Sequence, residues 1–500
     1  MKKKVIIVGA GISGMTAGIY ALENGFDVSI YEKHSLPGGE CTGWRRDGAF
    51  IDGCAHWIVG TNPKSELFPL WKHIGAFDEN SKIYDTEYFT NVEVGNETVT
   101  FYATKEKLKQ ELLRISPSDT KQIKKLLKGI DAYSHVHIPV DKPIDMMNIF
   151  ELTRFGIKSL PMAFAYLKYK KISISSFASK FKSPILQEAF SHILSGDYNM
   201  HSLLYVMQTL AKKDAGVVEG GSLQLALRIK NRFKKLGGKI YFNEAVTKVN
   251  IEGNKATSIL TSKGNKVEGD YFVLSSDAHH SLYDLLGNKY KLPFLNSRFE
   301  NLSKNPLSQC VLCAYKVNKD ISDYPKMLGF KVSPFKVASN EINYITLRNH
   351  SFDRTLNKDG KTTITVLLEL KNDAYDYFKN LSNEDYKKEK ETIGLTILTY
   401  IKDHYKLNDE EISLLDVTTP LTYERYTNAY HGSYMSFITT NASGKLMITG
   451  EIKELDNVIL TGQWLMPPGG LPIALFTGKH AAMRITKKEG KKFICLEGKE

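Results

Sequence analysis

Four consecutive apolar residues, Val5-Ile6-Ile7-Val8, stand between a basic N-terminus and the run Gly9-Ala10-Gly11-Ile12-Ser13-Gly14. Beyond the glycines the apolar period changes. Met15, Ile19 and Leu22 recur at helical spacing, Gly25 ends them, and Val28-Ser29-Ile30-Tyr31-Glu32 reads as strand again. Strand, glycine turn, helix and strand in one short span predict a βαβ unit that binds a dinucleotide. Gly9 permits the tight turn, Gly11 lets the backbone approach a pyrophosphate, and Gly14 lets helix and strand pack closely. The N-terminus of the helix that follows then faces the phosphates with free N–H groups and a partial positive charge. Glu32 lies where a carboxylate holds the ribose hydroxyls.

The same alternation of periods returns downstream. After Gly220-Gly221-Ser222, the residues Leu225, Ile229, Phe233 and Leu236 form one helical face, with Ser222 expected as the cap and Gly237 as the stop. Strands follow, among them Ala245-Val246-Thr247-Lys248-Val249, separated by turns at Glu252-Gly253-Asn254 and Lys263-Gly264-Asn265. Val273-Leu274-Ser275-Ser276-Asp277 reads as a buried strand. Near the C-terminus Asn457-Val458-Ile459-Leu460 precedes Gly462, Gln463 and Gly469-Gly470, and a helix is expected from Leu471-Pro472. The predicted class is α/β. A Rossmann-like nucleotide domain is expected over 1–85, 217–290 and 455–490, interleaved with an α+β substrate domain over 86–216 and 291–454, and 491–500 reads as a basic tail.

Composition narrows the classes. A chain of 500 residues exceeds one ordinary domain. A formal charge of +12 admits nucleic acid, an anionic membrane surface or no special partner at all, and no nucleic-acid module is legible. The five cysteines are sparse and odd in number, which fits a reducing compartment. Cys310 and Cys313 lie in a strand-like run that points them to opposite faces, so no metal site is expected. No stretch reaches the ~18 apolar residues of a membrane span, and a cytoplasmic location is expected. From Met146 to Lys182, aliphatic and aromatic residues mix with Arg154, Lys158, Lys168, Lys170 and Lys171. That mixture reads either as a helix lying on a membrane surface or as core with a solvated lysine face.

Two further stretches carry a resemblance. Glu32-Lys33-His34-Ser35-Leu36-Pro37-Gly38-Gly39, followed by Gly48-Ala49-Phe50-Ile51-Asp52-Gly53-Cys54-Ala55-His56-Trp57, resembles the FAD-binding fingerprint of the amine-oxidase and phytoene-desaturase superfamily. Gly462-Gln463-Trp464 with Pro467-Pro468-Gly469-Gly470 looks like the segment that closes over the flavin there. Within that superfamily the chain resembles phytoene desaturases, carotenoid isomerases and retinol saturases. The resemblance implies a nucleotide domain of the glutathione-reductase and amine-oxidase type with FAD as cofactor. The cradle it implies comprises Gly9, Gly11, Ile12, Ser13, Gly14, Glu32, Lys33, Gly38, Gly39, Gly53, His56, Trp57, Val246, Gly462, Gln463, Gly469, Gly470 and Leu471.

The activity it implies is hydride transfer between flavin N5 and a carbon–carbon bond of a small but long apolar substrate such as a polyene, isoprenoid or lipid. Desaturation, saturation and isomerisation share that geometry. His56 is the first candidate to move a proton beside N5, and His431 in Tyr430-His431-Gly432-Ser433-Tyr434 is the second; packed histidines are the other reading of both. Two rivals stand beside this function, a flavin amine oxidase and a non-catalytic carrier of prenylated proteins. No second GxGxxG marks a nicotinamide domain, and the electron partner is left open.

Overall fold

The computed structural model describes residues 2–54, 57–78, 80–194, 198–357, 361–440 and 447–498. The elements that position the site begin with strand β1 (Lys4–Val8), helix α1 (Ile12–Glu23) and strand β2 (Asp27–Tyr31). Strands β3 (Tyr88–Val94) and β4 (Glu97–Tyr102) precede helices α2 (Ile149–Tyr169) and α3 (Gly221–Lys235). Next come β5 (Lys239–Tyr241), β6 (Tyr271–Leu274), β7 (Gln309–Val317), β8 (Met327–Val337), β9 (Asn340–Asn349), β10 (Thr362–Leu370), β11 (Ile412–Thr418) and β12 (Val458–Leu460). Helix α4 (Leu471–Lys488) follows.

Parallel strands in the order β5-β2-β1-β6-β12 make a five-stranded sheet from three distant parts of the chain. Val5, Ile6, Ile7 and Val8 are all buried, as expected of a strand covered on both faces. The helices on this sheet approach closely because small residues meet there. A Cβ on Gly478 of α4 would lie 2.4 Å from the Ser13 carbonyl oxygen, and one on Gly18 would lie 2.5 Å from the Phe233 ring.

A second, seven-stranded sheet runs β11-β7-β10-β9-β8-β3-β4 and is almost wholly antiparallel. The register sets Glu369 of β10 opposite Cys310 of β7, and Arg348 of β9 opposite Thr365 of β10. A three-stranded antiparallel sheet over Val246–Glu252, Lys255–Thr261 and Lys266–Glu268 completes the hairpin array predicted from its two glycine turns.

Three local expectations change. Ser222 is not the cap of α3: Gly220 holds that position at φ +88°, and Ser222 sits in the first turn. The anion at that helix end comes from Asp52, whose carboxylate accepts the Ser222 N–H at 3.0 Å and its hydroxyl at 2.6 Å. The strand expected over Val273–Asp277 stops at Leu274. Ser275 turns out to meet the Ser13 hydroxyl at 2.8 Å, and Asp277 accepts backbone N–H groups of His279, His280 and Tyr430. The segment after α4, expected as a basic tail, packs back on α1: Asn24 pairs with the Ile494 backbone, and Glu497 bridges Lys479 at 2.8 Å.

Helix α2 stands apart from this packing. It is capped by Asn148 and Glu151 in a reciprocal box, yet only Ala165 and Tyr169 of its 21 residues are buried. Ile149, Phe150, Ile157, Leu160, Phe164 and Leu167 lie exposed on it, Phe150 at 83%. Among the described residues no helix is long and apolar enough to cross a membrane.

Candidate active site

A cavity of about 1400 Å³ begins at the carboxyl ends of β1 and β2 and extends beneath the seven-stranded sheet. This is where open parallel sheets bind nucleotides. Gly9, Gly11, Ile12, Ser13, Glu32, Lys33, Gly38, Gly39, Gly53, Trp57, Val246, Gly462, Gln463, Gly469, Gly470 and Leu471 all line it. Gly14 does not. A Cβ there would lie 2.2 Å from the Gly9 carbonyl oxygen, so its role is the close packing of turn and helix. His56 falls outside the described residues.

The lining residues meet the needs of a dinucleotide. At Gly11 a Cβ would find no protein atom within 4 Å, so the backbone there is open to a ligand. Gly11 also caps α1 without a side-chain bond, which leaves first-turn N–H groups free for a pyrophosphate. Glu32 accepts the Ala10 N–H at 2.6 Å and the His34 N–H at 2.7 Å, which fixes its carboxylate at the end of β2. Burial raises its pKa, and those backbone N–H groups oppose the rise. Lys33 is held by the side chain of Asn428.

At the far end of the cradle, Gly470 caps α4 at φ +97°, again with no side-chain bond. Pro472 in the first turn costs no hydrogen bond. The Gly470 N–H donates to the Gln463 side chain at 3.1 Å, and Gln463 in turn donates to Glu40 at 2.8 Å. Burial pushes the Glu40 carboxyl up to about 8. A helix end with unpaired N–H groups beside a glycine turn suits the pyrimidine edge of a flavin, where negative charge collects on reduction. Trp464 touches the cavity but also packs against Phe299 and Phe437 in the core.

Opposite the cradle the cavity has two kinds of wall. Trp57, Phe89, Val136, Ile138, Met162, Ile193 and Val206 give an apolar side. The sheet side is more polar: Ile342, Tyr344, Thr346 and Arg348 of β9 and Thr365, Leu367 and Glu369 of β10 line it at alternate positions, joined by Glu341, Asn343 and Leu368. Tyr423 and Tyr434 complete it, the latter donating to the Cys54 carbonyl. Burial lowers the pKa of Arg348, with Asp52 opposing, and lifts the Glu369 carboxyl to about 7.

His431 is stacked on Tyr375 with ring centroids 4.6 Å apart and does not line the cavity. Cys310 and Cys313 are buried free thiols, and among the described residues no group of three or more potential ligands could hold a metal. Sequence reasoning missed Glu40, Asp52, Arg348 and Glu369. The signal for the last was a lone carboxylate at an inward-alternating position of the apolar run Thr362–Leu370.

Known proteins with this chain arrangement bear on the cofactor. The chain is 22% identical to a 4,4'-diapophytoene desaturase (4,4'-diapolycopene-forming) of Methylomonas sp, covering 98% of this chain and 96% of that one. A lycopene-forming phytoene desaturase of Paracoccus sp. is 21% identical, with 96% of each chain covered. Among solved structures, cyclohexylamine oxidase from Brevibacterium oxydans superposes with a TM-score of 0.60 at 12% identity over 98% of this chain and 100% of that one, a likeness of fold. FAD is the cofactor that the cradle holds. The model of the family described as flavin containing amine oxidoreductase matches residues 12–486, and the chain belongs to that family.

Proposed function

We propose that the protein transfers hydride between FAD and a carbon–carbon bond of a long apolar molecule, a polyene, isoprenoid or other lipid. The observation that carries this reading is the continuity of the cavity: the nucleotide cradle opens without a break onto the apolar wall of Trp57, Phe89, Val136, Ile138, Ile193 and Val206. The full-length likeness to carotenoid desaturases supports it. Bound FAD supplies a two-electron acceptor or donor at N5.

The chain's own residues do the rest. Gly9, Gly11 and the start of α1 hold the pyrophosphate, and Glu32 orients the ribose. The start of α4, with Gly469 and Gly470, stabilises charge on the pyrimidine edge. The apolar wall aligns an extended chain and excludes bulk water from the reacting bond, while the proton that accompanies the hydride is moved by a side chain or a water molecule at the cavity wall.

Helix α2 delivers the substrate in this reading. Its exposed stripe, from Phe150 through Ile157 to Phe164, repeats every seven residues, and Arg154, Lys158 and Lys168 accompany it. Met162 of the same helix lines the cavity. An apolar stripe with basic residues suits an anionic bilayer surface, and a cavity reaching that helix lets lipid enter without crossing water. Anaerobic incubation with a polyene-rich lipid extract tests the reading. Products that differ from substrate by two hydrogens support it; an extract unchanged in hydrogen content after full FAD loading contradicts it.

A further inference from the structure

Glu369 is unusual among the residues around the cavity. Its backbone lies in β10 opposite Cys310, and its side chain lines the cavity, where it is exposed. Among the described residues it makes no hydrogen bond and no ion pair. Its surroundings are Tyr198 and Cys310, both buried, and the Cys310 thiol lies 3.5 Å from the Tyr423 hydroxyl.

A carboxyl in this position is poorly matched to a hydrocarbon. Filling the cavity with a purely apolar chain removes the water that solvates Glu369 and gives it no donor in exchange, which is the costly way to bury a polar group. A ligand that carries its own donor removes that cost and gains orientation, because one polar contact in an apolar cavity fixes which carbon faces the flavin. Arg348 also lies on the sheet wall, but the Asp52 carboxylate is close enough to support its charge. Glu369 has no counterpart of that kind.

We infer that Glu369 is a specificity-determining residue that accepts a hydrogen bond from a hydroxyl or ammonium group of the substrate, so that the substrate is an amphipathic lipid and not a plain hydrocarbon. The inference rests on the redox reading above, because it names the substrate class of that same cavity.

The test compares three probes of equal carbon skeleton: farnesene, farnesol and farnesylamine. Each is titrated into the FAD-loaded protein in one detergent, with the shift of the flavin absorption bands as readout. Farnesol or farnesylamine is expected to half-saturate the shift at a concentration about 10-fold or more below farnesene, the size of one buried hydrogen bond. Glu369→Leu is expected to erase that advantage. Glu369→Gln keeps an acceptor and is expected to retain it for the alcohol but not for the amine, which tells the two donors apart. Flavin content of each variant reports folding, and the wild-type comparison stands even where a variant fails to load.

Equal binding of all three probes by the wild type, or an advantage that survives Glu369→Leu, overturns the inference. Turnover of a hydrocarbon with no preference for a polar head sinks this inference and leaves the redox reading intact. A polar-head preference in a protein that never exchanges hydrogens with any lipid does the reverse.

Discussion

The Gly14 Cα and the Gly9 carbonyl face each other so closely that a Cβ on Gly14 would lie 2.2 Å from that oxygen, and 2.8 Å from the Ser275 hydroxyl. Backbone cannot yield there as a flexible side chain would. Gly14→Ala is expected to cost about 2 kcal/mol or more through overpacking and to displace the phosphate turn. The flavin-to-protein absorbance ratio of the purified variant checks it: a variant with full FAD content would show that the turn tolerates the methyl.

Asp52 links two parts of the site that are 170 residues apart. One oxygen accepts from the Ser222 backbone, the other from the Ser222 hydroxyl and, at 3.1 Å, from the Cys54 N–H beside Gly53. Asp52→Ala removes the anion at the start of α3 and should destabilise by about 1–2 kcal/mol, Asp52→Asn by less. Thermal melting of the two variants against wild type checks both the direction and the order.

Helix α2 predicts a separation between stability and membrane binding. Replacing Phe150, Ile157 and Phe164 together by Glu should leave the melting temperature within a few degrees, because exposed positions contribute about 0.5 kcal/mol or less each. Co-sedimentation with anionic vesicles should be lost. Vesicle binding that persists in the triple variant contradicts the docking face.

Two histidines, His480 buried and His201 at the cavity wall, predict acid sensitivity. Burial drives His201 down to about 4, and burial with Lys479 and Arg484 nearby drives His480 down to about 3, from an ordinary 6.5. The unfolded chain therefore takes up these protons before the folded one does. Stability is complete above pH 6.5 and falls as the pH drops below it, by about 2 kcal/mol for each histidine at pH 5. Urea midpoints at pH 7.5 and 5 measure the fall, and His480→Gln should flatten it.

The nucleotide half of the site was legible because its signals are local. Gly9, Gly11 and Gly14 fall within six residues of the turn and the helix it opens, and Gly469-Gly470 stand directly before the first residue of α4, Leu471. The substrate half was not, because its walls come from strands paired across long separations. Glu369 faces the cavity only because the register with Cys310 sets the side on which it points. Ser222 misled for a related reason: a serine after two glycines is an ordinary cap, but Asp52 supplies the anion and both the cap and the helix start lie two residues earlier. His431 carried chemistry in its residue type alone, and its place against Tyr375 depends on a helix 56 residues upstream.

The anaerobic visible spectrum of the FAD-loaded protein, oxidised and photoreduced, tests the central claim most directly when recorded before and after a polyene-rich lipid extract is added. The account predicts that one form responds: the oxidised flavin bands bleach if the protein removes hydride, or the reduced flavin regains them if it delivers hydride. A flavin that ignores the lipid in both forms, or a protein that shows no flavin bands after FAD is supplied, contradicts it.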